Sequence, residues 1–240
     1  QIVVQRIKEA EKESISEEFK DKDGELMVGT LSREDQHNYF VDLGRCSGIL
    51  PKDQIIPGEK LQMGSSVKVY VSKLEIGPKG PFIMLSRSHY GFLKRLLEIE
   101  IPELTDGTVV LYSVAREAGS RSKIAVYTEY NNVDPLGAII GEKGRRIANV
   151  LKELNGEKID VILYDKDPVK FITNALSPAK NVKVTIKNEE KKEALALVDD
   201  SNLSLAIGRK GQNVKLASRL THYKIEVKSE NTAEEEKDSE

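Results

Sequence analysis

Two short stretches, 67 residues apart, constrain this chain more than anything else in it. One reads Ala206-Ile207-Gly208-Arg209-Lys210-Gly211-Gln212-Asn213-Val214, and the other Ile139-Ile140-Gly141-Glu142-Lys143-Gly144-Arg145-Arg146-Ile147. Each predicts a helix, a tight basic turn between two glycines, then a second helix. In both, lysine stands just before the second glycine, and Ile or Val returns three residues after it. A domain-sized offset between two such copies marks an internal repeat.

The turn has a physical use. Two glycines allow a sharp bend and let another chain come close, since no Cβ stands in the way. The second helix opens with free N–H groups and the positive end of its dipole, which together attract anions, phosphate above all. Arg209 and Lys210 add cations to one turn, and Lys143, Arg145 and Arg146 to the other. A G-x-x-G turn between helices resembles the loop with which KH modules clamp a nucleic-acid backbone.

Charge must be read locally. The chain of 240 residues has a formal net charge of −2. Residues 229–240 hold six acids and one lysine, a contribution of −5, which leaves +3 on the rest. From Gly208 to Lys228 six Lys/Arg face Glu226 alone. Binding responds to such local fields rather than to the sum. Cys46 is the single cysteine, so no internal disulfide can form and a reducing cytoplasm is expected. No apolar run approaches a membrane span.

Taken in order, residues 1–21 predict an amphipathic helix that opens mid-pattern, as if continuing from a preceding domain, with Val3, Ile7 and Ala10 on one face. Five short strands follow, at 26–31, 38–44, 46–51, 67–71 and 82–86, with Gly-Pro connectors at 56–58 and 77–81. They suggest a small closed barrel of the OB type. A helix at 92–99 ends near Pro102, and strands are expected at 108–112 and 123–127. Residues 116–123 between them read as a polar turn carrying Arg116, Arg121 and Lys123. The first glycine turn and its helices come next, with Gly156 as cap, then a strand at 158–162. The order repeats after Asp167-Pro168, with strands at 182–186, 194–198 and 224–227. Asp199-Asp200 reads as a helix cap. Residues 229–240, acidic and poor in apolar groups, are expected to be disordered.

The barrel segment resembles the S-one domain, through Gly29, Val41-Asp42-Leu43-Gly44, Gly48-Ile49-Leu50-Pro51, Gly64 and Leu85-Ser86-Arg87. That resemblance implies an RNA face with His37 and Tyr39 or Phe40 as stacking groups and Arg87 nearby. One of the two neighbouring aromatics must point inward, because a strand alternates. Each repeat has the order α-β-β-α-α-β and resembles the type II KH fold. The expected architecture is therefore multidomain: a helical linker over 1–22, a five-stranded all-β OB-type barrel over 23–90, α+β KH domains over 91–165 and 166–228, and the tail.

The order of these parts, with Ile101-Pro102-Glu103-Leu104, Gly119-Ser120-Arg121, Asn132-Val133-Asp134-Pro135, Gly156-Glu157-Lys158-Ile159-Asp160, Asn174-Ala175-Leu176-Ser177-Pro178-Ala179 and Leu203-Ser204-Leu205-Ala206-Ile207-Gly208-Arg209, resembles the NusA family of bacterial transcription factors over residues 1–228. The chain departs from it at Thr221-His222-Tyr223, where Gly-Trp is frequent, near Tyr164, where Trp is common, and at Cys46-Ser47. The resemblance implies a cytoplasmic, monomeric, non-enzymatic factor in pausing, termination and antitermination. Its partners would be nascent single-stranded RNA, other Nus factors, and RNA polymerase, the last mainly through a preceding domain.

The residues expected to touch RNA are Gly141, Glu142, Lys143, Gly144 and Arg145, then Gly208, Arg209, Lys210, Gly211, Gln212 and Asn213. Ser177 and Ala179 are added at the junction of the repeats, and His37, Tyr39 and Arg87 on the barrel. RNA would run extended across barrel and both KH units. No metal, cofactor or catalytic site is expected. His37, His89 and His222 are far apart in sequence, no Cys/His set has ligand spacing, and neither glycine turn continues into Lys-Ser/Thr. Two alternatives remain open at this point: the accessory region of a phosphorolytic exoribonuclease, in which the modules have the reverse order, and a protein–protein adaptor.

Overall fold

A computed structural model of the chain describes residues 1–6, 9–10 and 22–238. Residues 2–6 and 9–10 are helical, and the rest of the expected opening helix lies outside the described residues. The chain divides into two compact units, Gln1–Leu96 and Leu97–Glu240.

The first unit contains β1 (Leu26–Glu34), β2 (Asn38–Asp42), β3 (Ser47–Pro51), β4 (Ser66–Gly77) and β5 (Gly80–Ser86). They form a closed barrel in the order β1-β2-β3-β5-β4, with β3 and β5 parallel and the other pairs antiparallel. Period-two alternation turns Val67, Val69 and Val71 inward against Leu31, Val41, Leu50, Ile83 and Leu85. Side chains at Gly29 and Gly48 would collide with Val41 and Leu85, so these glycines let the strands close over the core. The residues expected as a connector at 77–81 instead end a long hairpin, in which Gly77 pairs with Gly80.

Helix α1 (Tyr90–Glu100) crosses the division in sequence between the units. It is followed by α2 (Pro102–Asp106), β6 (Val110–Glu117), β7 (Arg121–Tyr127), α3 (Pro135–Ile140), α4 (Arg145–Lys152) and β8 (Lys158–Leu163). The short α2 was not anticipated: Pro102 ends α1 and then serves as first residue of the next helix, where its missing N–H costs nothing. The turn between β6 and β7 spans only residues 118–120, so Arg116, Arg121 and Lys123 lie on strands rather than in the expected polar loop. Helix α4 is capped by Glu153, and Gly156 sits in the turn beyond it at φ +84°.

The second copy contains α5 (Pro168–Ala175), β9 (Lys183–Asn188), β10 (Glu193–Val198), α6 (Asp200–Ile207), α7 (Gln212–Thr221) and β11 (Lys224–Ser229). Each copy carries a three-stranded sheet, β6-β7-β8 or β9-β10-β11, with the first pair antiparallel and the second parallel. Asp167 caps α5, accepting from the Val169 N–H at 3.0 Å, and Asp199 caps α6, accepting from Asn202 N–H at 2.9 Å. The copies share one core: Ala115, Ala125 and Ile162 from the first pack with Phe171, Leu176, Leu216 and Leu220 from the second.

Residues 230–237 are not disordered as their composition suggested. They form α8 (Glu230–Lys237), capped by Ser229, whose hydroxyl accepts from the Thr232 N–H at 3.3 Å. Two cations offset its acids, Lys228 to Glu236 at 2.8 Å and Lys183 to Glu230 at 3.0 Å. An acid in the first turn of a helix also suits its dipole.

Candidate nucleic-acid interface

The two glycine elbows repeat one backbone almost to the degree. Gly141 has φ/ψ of 76°/174° and Gly208 77°/172°. Lys143 lies at 53°/28° and Lys210 at 54°/28°, while Gly144 and Gly211 lie at 72°/17° and 73°/15°. The two glycines of each elbow are needed for different reasons. A Cβ on Gly208 would sit 2.7 Å from the Asn213 backbone nitrogen, and one on Gly141 2.6 Å from Arg146 Cγ. At Gly144 nothing lies within 4 Å, so there the left-handed backbone alone calls for glycine. The lysine between them takes a left-handed conformation too, at a cost of about 1–2 kcal/mol for an L-residue. Such strain kept at one position in both copies is typical of a working site.

Helices α4 and α7 begin at the elbows, where the positive ends of their dipoles add to the cations. The first N–H of each is taken within its own elbow, Arg145 donating to the Glu142 carbonyl and Gln212 to that of Arg209. Glu142, Lys143, Arg145, Arg209 and Lys210 are exposed, and none of their side chains has a hydrogen-bond or ion-pair partner among the described residues. They stand ready for an outside anion, apart from Glu142, whose charge has the wrong sign.

Two residues expected to touch RNA are instead committed to the fold. Asn213 is 1% exposed, and its amide donates to the carbonyls of Ala206 at 3.0 Å and Leu176 at 3.1 Å. It ties the end of α6 to the start of α7 and cannot present its side chain to a base. Gln212 donates from Nε2 to Glu117 Oε2 at 3.0 Å and Ser120 Oγ at 2.6 Å, which pins the second elbow to the β6–β7 turn of the first copy. Arg146, in the position of Asn213, donates to Glu103 at 2.7 Å and to the Ala138 carbonyl at 2.9 Å.

At the junction Ser177 is exposed, and its carbonyl accepts from Lys123 Nζ at 2.7 Å. Lys123 also reaches Asp160 at 3.0 Å, and Arg121 grips the same carboxylate at 2.7 and 2.9 Å. Burial holds the Lys123 ammonium below its ordinary pKa against the pull of Asp160. Burial would raise the Asp160 carboxyl, but the Arg121 hydrogen bond and the Lys123 charge outweigh it and leave its pKa lowered. Ala179 is buried against Val198 and Ala206, so it supports α6 from beneath rather than meeting a ligand.

On the barrel, His37 is exposed, with its backbone N–H donating to Asp35 at 2.8 Å. Tyr39 is the aromatic that turns inward: it pairs with buried Leu50 and packs on the core, with Lys52 Nζ 5.3 Å from its ring centroid. Phe40 therefore faces outward, opposite Ile49, with the Arg33 guanidinium 4.1 Å from its centroid. Arg87 is not a surface cation. It is 5% exposed, bound to Glu59 at 2.8 and 3.1 Å and to the Lys68 carbonyl at 2.6 Å. Phe40 and Arg33 are the outward groups in place of Tyr39 and Arg87: pairing across β2–β3 separates the two aromatics, and the contacts with Glu59 and the Lys68 carbonyl withdraw Arg87 from the surface.

A family model for the NusA-like first KH domain matches residues 87–164, and one for the NusA-like second KH domain matches residues 168–235. The transcription termination/antitermination protein NusA of Halalkalibacterium halodurans is 49% identical over 98% of this chain and 61% of its own length. The protein of the same name from Bacillus subtilis is 48% identical over 98% of this chain and 63% of its own length. That from Mycobacterium bovis is 41% identical, over 96% of this chain and 69% of its own. The chain thus spans about three fifths of the length of the first two relatives.

Proposed function

The chain belongs to the NusA family, and from that premise we propose that it binds single-stranded RNA as part of a transcription termination and antitermination factor. The observation that carries the reading is the pair of elbows, with matched backbones and exposed cations at the starts of α4 and α7. Each elbow holds backbone phosphates, and each KH unit accommodates about four nucleotides. The strand crosses the junction at Ser177. Gly141 to Arg145 and Gly208 to Gly211 form the binding set, with Gln212, Asn213 and Ala179 positioning it.

The barrel is of the OB or S-one type and adds stacking through Phe40 and His37. The factor works by binding, not catalysis, as a cytoplasmic monomer. RNA polymerase, met through a segment outside this chain, and other Nus factors are its further partners. Among the described residues no helix is long and apolar enough to cross a membrane.

A salt titration with a single-stranded oligoribonucleotide tests the reading. The logarithm of the association constant should fall linearly with the logarithm of salt concentration, by about 0.7 per phosphate held. Affinity that ignores salt, or binding no tighter than to a duplex of the same sequence, contradicts it.

A further inference from the structure

The geometry points to unequal roles for the two elbows: the second anchors the RNA backbone, and Glu142 makes the first a deliberately weak clamp. This rests on the RNA-binding reading above. The elbows present one backbone, so their chemical differences reduce to side chains. Where the second has Arg209 the first has Glu142, both exposed. Where the second has Lys215, the first has Ala148. Lys215 Cε lies only 3.7 Å from where a Cβ on Gly211 would be, so this further cation sits against the second elbow.

Anchoring differs in the same sense. The start of α7 is pinned by Gln212 to Glu117 and Ser120, and by Asn213 to Leu176 and Ala206. At the first elbow the counterpart of Gln212 is Arg145, exposed and without a partner among the described residues. Arg146, which could have added a cation there, is neutralised by Glu103. A phosphate at the first elbow meets Lys143 and Arg145 against the repulsion of Glu142. At the second it meets Arg209, Lys210 and Lys215, with no acid in the turn itself and the nearby Glu117 carboxylate engaged by the Gln212 amide. A pre-organised cationic site holds its ligand, whereas a mixed-charge one discriminates more than it holds.

The test compares Glu142→Arg with Arg209→Glu by RNA affinity over a salt series, using one oligoribonucleotide long enough for both elbows. Both side chains are exposed and unbonded, so folding should survive, and thermal melts verify it. Glu142→Arg should tighten binding about fivefold to tenfold at low salt and steepen the salt slope by about 0.7, one added phosphate contact. Arg209→Glu should weaken binding about tenfold or more and flatten the slope. If Glu142→Arg fails to fold, Glu142→Gln takes its place, with tightening of about half that size on a logarithmic scale. Unchanged or weaker binding by the Glu142 variant, alongside a weakened Arg209 variant, overturns the unequal-clamp inference and leaves RNA binding standing. Two variants that both bind like the parent chain overturn the RNA reading of the elbows with it.

Discussion

Replacing Arg209 and Lys210 together with aspartate is expected to weaken binding of single-stranded RNA about 100-fold at low ionic strength and to reduce the salt slope by about 1.4. Two phosphate contacts are lost, and two repulsive charges stand in their place. The fold should be untouched, since both side chains are exposed and neither has a partner among the described residues. Aspartate also tolerates the left-handed backbone of Lys210 at least as well as lysine. Melting temperature and affinity, measured on the same samples, check this. A variant that melts like its parent yet binds RNA as tightly contradicts the clamp. The glycines are poorer probes. A side chain on Gly208 would strike the backbone of Asn213 in a region of φ/ψ reserved for glycine, so Gly208→Asp would mix a folding defect with a binding one.

The second large effect concerns the scaffold. Arg116 on β6 donates to both oxygens of Glu157, just before β8, at 2.8 and 3.2 Å, and the two side chains are 1% and 0% exposed. Removing one partner of such a pair strands the other charge away from water. Glu157→Ala should cost about 3–5 kcal/mol, a large share of the ~5–15 kcal/mol that holds a domain together. Denaturant unfolding of parent and variant measures it. A loss under ~1 kcal/mol would mean that water reaches the guanidinium and that the pair behaves like a surface bridge.

These two predictions divide along the line of what the sequence revealed. The elbows were legible because their signal is local: two glycines, cations between them, and flanking apolar periodicity. The element order was legible for the same reason, through strand alternation and through caps such as Asp199. What escaped depends on partners distant in sequence. Arg116, Arg121 and Lys123 looked like a polar turn because Glu157 and Asp160, which neutralise them, lie 41, 39 and 37 residues further on. Arg87 looked like a free cation because Glu59 lies 28 residues before it. Asn213 sits at a helix start, where solvent is the usual neighbour, and only the packing of α5 against α7 shows its amide to be enclosed. Alternation limited Tyr39 and Phe40 to one inward and one outward, and register with Leu50 decided which. Helix α8 defeated a compositional argument, because Lys183 and Lys228 supply the countercharge that its own residues lack.

The central claim, that a duplicated elbow grips an RNA strand at two points, is tested most directly by amide chemical shifts during titration with a single-stranded oligoribonucleotide at low ionic strength. The account predicts shifts concentrated at Gly141–Arg145 and Gly208–Gln212, larger at the second set and fading as salt is added. Saturating RNA that leaves both sets where they began would contradict it.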